Sequence, residues 1–438
     1  MLSTTINPGE DVQSSAQPAI LSLFPEGTSL INGEIAISGV QASDLAAAYG
    51  TPAYIVDESA LRQRIRHYRD GLSLRWPNSR VYFASKAFPS TAVYRVMSEE
   101  GIGIDVAGGG ELVMALAGGA DPRDILVHGN AKTDGDLKMV LDAGVGLIIV
   151  DNLHEVDQLS ALVQGQQDVL VRIRPNVDTD THEAMATGHG DSKFGMGPEE
   201  ARRAIDMIQR SQNLRMRGLH VHIGSQVFEL NAFSESIKAI SEFGEFEIYD
   251  LGGGLGERHT YDDPEVSVDD YLDAVVQAAK DFLPPASRII LEPGRSLVAR
   301  AGVTMYQVVN VKRGGKTLVA VDGGMADNLE VSLYGQRFEA TLSNRFHGEE
   351  LVSVVGRHCE SGDKLIDGVH LDSPSAGDLL LMPVTGAYCF TMANNYNGSL
   401  RLPVVFVSDG VPRLVVRRET YEDLLARDVL VPPLRPSR

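Results

Sequence analysis

The sequence predicts a fold in two parts, an α/β unit and an all-β unit: a (β/α)8 TIM-type barrel followed by a C-terminal, mostly antiparallel β domain. Three observations carry this expectation. At 438 residues the chain exceeds what one ordinary core encloses. Between residues 51 and 300, short β-branched runs alternate with amphipathic helical stretches. From residue 301 to 438 similar runs continue, but Gly, Asp and Pro punctuate them in place of long helices.

The elements follow in order. Residues 1–25 are polar and read as a loose tail. Eight strands are expected at 81–85, 103–106, 125–128, 147–150, 169–173, 218–223, 248–251 and 288–291. Helices are expected between them, among others at 92–100, 110–117, 134–143 and 198–211. Eight is the number that closes a parallel barrel. An open doubly wound sheet is the rival, but its glycine fingerprint does not follow the first strand. Further strands are expected at 303–311, 316–321, 351–356, 378–384, 404–408 and 413–418.

Composition narrows the function. A hydrophobic content of 43% with 22% charged residues suits a soluble globular protein. A formal charge of −20 argues against nucleic acid or an anionic membrane surface as partner. Two cysteines, Cys359 and Cys389, form no disulfide framework and suit a reducing cytoplasm. The first 20 residues show no basic start followed by an apolar core, so no signal peptide is expected. No apolar run reaches the ~18 residues that span a bilayer. No Cys or His spacing matches a metal-ligand set, so no metal is expected.

Barrel enzymes build their sites on the loops that follow the strands, and the unusual residues of this chain gather there. Lys86 follows the first strand, Asp105 ends the second, and His128 and Asn130 end the third. His222 and Ser225 close the sixth, Gly252, Gly253 and Gly254 follow the seventh, and Glu292 and Arg295 follow the eighth. Each has a commonplace reading by itself: a snorkelling lysine, a turn cap, a core histidine, a glycine turn, a strand-end ion pair. Six decorated strand ends point to one shared mouth.

The residue types suggest pyridoxal 5′-phosphate (PLP) as cofactor. A lysine in a desolvated or cation-rich site keeps enough free amine to bond covalently to an aldehyde, which suits Lys86. The triple glycine lets backbone approach a phosphate without Cβ atoms in the way, with Ser225 as a further donor. A carboxylate such as Glu292 beside a pyridine nitrogen keeps that nitrogen protonated and the ring electron-poor. His222 would stack on the ring or position its phenolic side, and Asp105 would orient Lys86 or cap the next turn. In the C-terminal half, Cys359 beside Glu360 in a glycine-rich turn reads as an exposed acid pair able to deliver a proton.

From about residue 45 to 428 the sequence resembles the diaminopimelate decarboxylase family, of the alanine-racemase-like PLP enzymes. The resemblance rests on ASKAF, HIGSQ, DLGGGLG, EPGRS, DGGMADN, CESGD, TGAY and RRETYEDLL, in order and suitably spaced. It implies that Lys86 carries PLP, His222 stacks on the ring and Glu292 faces the pyridine nitrogen. It implies that Ser225, Gly252–Gly254 and Tyr388 hold the phosphate, and that Arg295 and Tyr334 meet an amino-acid substrate, with Arg295 and Tyr388 serving cofactor and substrate alike. It implies a homodimer with shared active sites, in which Cys359 and Glu360 enter the partner's site. It also implies that residues 26–50 join the β domain. The reaction implied is α-decarboxylation, with Cys359 or Lys86 returning a proton to the carbon that loses CO2.

One position departs from the family. Four residues before Tyr334, where the family has an arginine that contacts the distal carboxylate of the substrate, this chain has Glu330. Two arrangements are physically acceptable: Glu330 turns away and Arg337 supplies the missing cation, or the distal group of the substrate is not a carboxylate. D-ornithine, D-lysine, arginine and a conjugated diamino acid are the rival substrates. A racemase or an inactive regulatory homologue are the rival functions.

Overall fold

Each of the eight expected runs becomes a strand of one closed, parallel barrel. The strands are Ser79–Ala84, Gly103–Val106, Ile125–Val127, Leu147–Val150, Gln167–Ile173, Leu214–Val221, Ile248–Asp250 and Arg288–Leu291, each paired with the next and the last with the first. The computed structural model describes residues 18–175 and 192–429.

The helices between the strands start where their sequences supply caps. Ser90 accepts a hydrogen bond from the Val93 amide and opens Thr91–Glu99. Thr133 and Asp136 form a reciprocal capping box at Asp134–Ala143. Each such cap contributes about 1 kcal/mol. Pro198–Arg210 begins with proline, carries Glu199 and Glu200 in its first turn and Arg210 in its last, and buries Ala201, Ala204, Ile205 and Ile208 along one face. Those positions follow the i, i+3, i+4, i+7 pattern that lays a helix against the barrel.

Inside the barrel the two-residue period of the strands creates layers. Tyr82, Leu126, Ile149, Leu170, Ile248 and Ile290 meet in an apolar plug. Two residues further along the same strands come Ala84, His128, Arg172, Asp250 and Glu292, joined by His220 from the sixth strand. A layer of ionisable groups therefore rests directly on a dry floor, which sets its electrostatics.

The β domain contains a sheet of nine strands, mostly antiparallel. Gly302–Lys312 is its spine, pairing with Thr317–Val321, Leu379–Pro383 and Ala53–Asp57. The last of these changes the expected boundary: Ala53–Asp57 lies between Gly302–Lys312 and Val404–Ser408 in the β domain, so the barrel does not begin at residue 51. Lys364–Leu371, a strand the sequence reading did not include, pairs with Glu350–Val355 across register shifts. Residues 28–41 form a small three-stranded sheet tied to the β domain through the Ile35 amide on the Ser343 carbonyl. Of the expected loose tail, residues 1–17 lie outside the described residues, whereas Ala19–Leu23 forms a 3-10 turn with Leu23 and Phe24 buried.

Candidate active site

The decorated strand ends converge on one cavity of about 160 Å³ at the C-terminal mouth of the barrel. Lys86, Asp105, His222, Ser225, Gly254, Glu292, Arg295 and Tyr388 all line it. Tyr388 comes from the β domain. Its backbone amide donates to the Ala87 carbonyl at 2.8 Å, which fastens the β domain to the residue next to Lys86.

Glu292 is the centre of the ionisable layer. Its two carboxylate oxygens take separate imidazoles: Oε1 lies 2.6 Å from His128 Nε2, and Oε2 lies 3.2 Å from His220 Nε2. Burial pushes both imidazoles down, His220 to about 3, so they are neutral at physiological pH. Each then donates an Nε2–H to the carboxylate, and the network fixes that tautomer. Burial would raise the Glu292 carboxyl, but the two imidazoles and their hydrogen bonds hold it well below the usual carboxylate range. The neighbouring carboxyls go the other way. Burial first, and the Glu292 charge second, push Asp105 and Asp250 well above their ordinary values. Lys86 pulls Asp105 partly back. The site thus holds one firmly ionised carboxylate among acids that resist ionisation.

The glycine turn after the seventh strand leaves no room for side chains. Gly252 has φ +66°, and a Cβ there would stand 2.5 Å from the Val221 carbonyl. At Gly253 a Cβ would stand 2.2 Å from the Glu292 carbonyl. The Gly253 amide donates to His222 Nδ1 at 3.3 Å, so the turn also orients the ring expected to stack on a cofactor. Only Gly254 of the three reaches the cavity wall itself. Asp105 does not cap the following helix, whose N-cap is Gly108 without a side-chain bond.

Five further expected site residues lie outside the cavity wall. Glu330 is buried behind the cavity wall, where it grips Arg295 with two bonds, Nη2–Oε1 at 2.7 Å and Nη1–Oε2 at 3.2 Å. Arg337 does not supply a cation to the cavity. The helix Leu329–Tyr334 ends at Gly335 in the left-handed conformation, and Arg337 is carried out to Asp262 at 2.9 Å. Cys359 and Glu360 are exposed on the β domain, away from the cavity of their own chain. Their turn is braced from below: Asp363 accepts from the His358 amide, from His358 Nδ1 and from the Met325 amide. Tyr334 is half-buried on the same short helix as Glu330 and is not part of the cavity wall.

Sequence reasoning missed Arg172, His220 and Asp250. His220 had a readable signal, because it stands two residues before His222 and shares its side of the strand. With His128 and Glu292, His220 and Asp250 place four donor atoms within 4.8 Å of one another. That set has the chemistry to hold a divalent cation, and no linear spacing reveals it because four strands contribute. Arg172 lines the cavity under the Phe194 ring, 4.6 Å from its centroid.

A family model described as pyridoxal-dependent decarboxylase, pyridoxal binding domain, matches residues 58–299, and it defines the class to which this fold and cavity belong. Similar proteins narrow the class. A diaminopimelate decarboxylase of Actinosynnema pretiosum subsp. auranticum is 44% identical, over 95% of this chain and 98% of that one. One from Bacillus subtilis (strain 168) is 41% identical over 93% and 98%. The crystal structure of a diaminopimelate decarboxylase from M. jannaschii, in complex with L-lysine, aligns with a TM-score of 0.87 at 32% identity, covering 93% of this chain and 99% of that one. The chain belongs to the diaminopimelate decarboxylase family.

The residues present fit PLP. The cavity pairs a lysine with an ionised buried carboxylate, and Gly254, Ser225 and Tyr388 stand together on its wall. Among the described residues no helix is long and apolar enough to cross a membrane.

Proposed function

We propose that this protein removes the α-carboxylate of a diamino acid as CO2, with PLP held on Lys86 and meso-diaminopimelate as the first candidate substrate. The observation that carries the reading is the Glu292 carboxylate, kept ionised by two neutral imidazoles in the same cavity as Lys86. When bound, PLP supplies a sink for the electron pair that stays behind as CO2 leaves. Glu292 would hold the proton on the ring nitrogen, because a buried anion favours the protonated form of a base beside it. His222 would cover a ring face, while Gly254, Ser225 and Tyr388 would take the phosphate. Lys86 would release the cofactor to the incoming amine and keep its own amine at hand.

Each turnover replaces a carboxylate with one proton, so the site needs a donor on that side. Lys86 is one, and Cys359 of a second copy is the other. The exposure of Cys359 and Glu360 on a braced turn supports a homodimer with shared sites. The test is direct. Purified protein with PLP should release CO2 from a diamino acid, and borohydride reduction followed by peptide mapping should place the pyridoxyl group on Lys86. Attachment at Lys132 or Lys193, or epimerisation without CO2, refutes the reading.

A further inference from the structure

We infer that His358 is a positioning residue for the Cys359–Glu360 turn, setting the pair in the shape in which it enters the cavity of a second copy. The inference rests on the shared-site homodimer proposed above and concerns how the half supplied by the other copy is held.

Cys359 is exposed, yet the residue before it is buried. His358 Nδ1 donates to Asp363 Oδ2 at 2.9 Å, and the His358 amide donates to the same oxygen at 2.8 Å. Ring and backbone together thus close the turn across residues 358–363. On the other edge of the ring, Nε2 lies 3.2 Å from the Ser399 hydroxyl, and the Tyr396 ring lies alongside with centroids 5.8 Å apart. The imidazole is therefore the buried link between the root of the turn and the segment 396–399. Two members of that segment reach the tip. Asn397 Oδ1 accepts the Cys359 amide at 2.7 Å, and the Tyr396 hydroxyl donates to Glu360 Oε2 at 3.4 Å. The root has no slack: a Cβ at Gly324 would stand 2.6 Å from His358 Nδ1, and one at Gly356 would stand 2.2 Å from Asp363 Oδ2.

A reactive pair on an unsupported loop must be ordered each time it docks, and that ordering opposes docking. Here the Cys359 amide and the Glu360 carboxylate are held by their own chain before a second copy arrives. A proton donor must also stand within hydrogen-bond reach of the atom it serves, and a small misplacement costs rate steeply. The His358 ring is spent between Asp363 and Ser399, so it acts through Cys359 and not on the substrate.

The experiment follows the PLP-loaded enzyme carrying His358→Leu, which keeps an apolar side chain of similar bulk and removes both ring bonds. With meso-diaminopimelate, kcat is expected to fall at least about fivefold, while affinity for PLP stays within about threefold of wild type because the barrel is untouched. His358→Asn, which places an N–H donor near the position of Nδ1, should recover part of the lost kcat. The decisive step mixes His358→Leu chains with Lys86→Ala chains and lets them exchange. Roughly a quarter of wild-type activity should appear, because half of randomly paired dimers are mixed and each unites an intact lysine with an intact turn. A general loss of folding would damage the barrel of the same chain and give no such recovery. Where leucine prevents folding, His358→Gln, which keeps a polar group toward Ser399 and loses the Nδ1 donor, takes its place with the same outcomes expected. A kcat within about fivefold of wild type, or a loss that mixed dimers do not restore, overturns the inference. If Lys86→Ala and Cys359→Ala chains restore each other in parallel, the shared-site reading survives that failure; if they do not after proven exchange, both fall.

Discussion

Replacing His128 with phenylalanine tests how Glu292 is kept ionised. The substitution preserves a ring of similar size and removes the Nε2–H that reaches Glu292 Oε1 at 2.6 Å. His220 remains as the second donor, at 3.2 Å. A hydrogen bond to a charged group contributes about 1.5–3 kcal/mol. At about 1.4 kcal/mol per decade, its loss moves the balance from carboxylate toward carboxylic acid by roughly ten- to a hundredfold. Burial, the largest influence on this carboxyl, then acts against one imidazole instead of two, so its pKa rises. A Glu292 carboxylate held by one donor instead of two is fixed less firmly beside the ring nitrogen, so PLP should be held more weakly, by up to about tenfold. Because the carboxyl starts well below the usual carboxylate range, it stays ionised from pH 6 to 8 and the loss should be similar across that window. Titration of the apoprotein with PLP, followed by absorbance at pH 6, 7 and 8, measures this, with thermal unfolding of the apoprotein as a check on the fold. His128→Gln, which keeps an N–H donor, should recover part of the affinity. Equal affinities for wild type and His128→Phe at all three pH values would refute the reasoning.

Two further outcomes follow from the geometry. Mixing inactive Lys86→Ala chains with inactive Cys359→Ala chains should restore roughly a quarter of wild-type activity if sites are shared, since random pairing makes half the dimers mixed with one intact site of two; no recovery after proven subunit exchange rules out sharing. Asp327 offers a test of pH and stability, because burial pushes its carboxyl up to about 7. The folded state then keeps a proton that the unfolded chain releases near pH ~4, so stability is lost as pH rises from there through about 7. Asp327→Asn should therefore gain stability relative to wild type at pH 8 but not at pH 4, by denaturant unfolding, and an equal difference at both pH values would contradict the assignment.

The barrel was legible because each of its strands is a short apolar run with a polar residue at its end, and because eight such runs in sequence leave few topologies. Ala53–Asp57 misled for the opposite reason. Its five residues are all buried, and nothing local to such a run says which sheet it joins; its partners lie at 302–305 and 404–407. Lys364–Leu371 was hidden by Asp367 and Gly368, which interrupt the apolar pattern where the ladder shifts register and Gly368 takes φ +104°. In the site, Lys86, Glu292 and the glycine turn were readable from type and place. Arg172 and Asp250 were not singled out, since a charge within an apolar strand declares its partners only when the barrel closes. Arg337 stands one helical-turn spacing beyond Tyr334, but the helix stops at Gly335 and does not carry it to the cavity.

The hydrogen bond from the Tyr388 amide to the Ala87 carbonyl bears on modularity. The segment recognised as a pyridoxal-binding domain ends at residue 299, yet one wall of the cavity arrives from residue 388 and is stitched to the peptide beside Lys86. The barrel is thus not an interchangeable cassette. Grafting it onto a different sheet would leave the cavity open on that side, and a chimera joined near residue 300 inherits a working site only if the new sheet offers a tyrosine and a free amide at the same place. Recombination that respects the sequence boundary cuts through the chemistry, so the heritable unit of this site is the barrel together with its sheet.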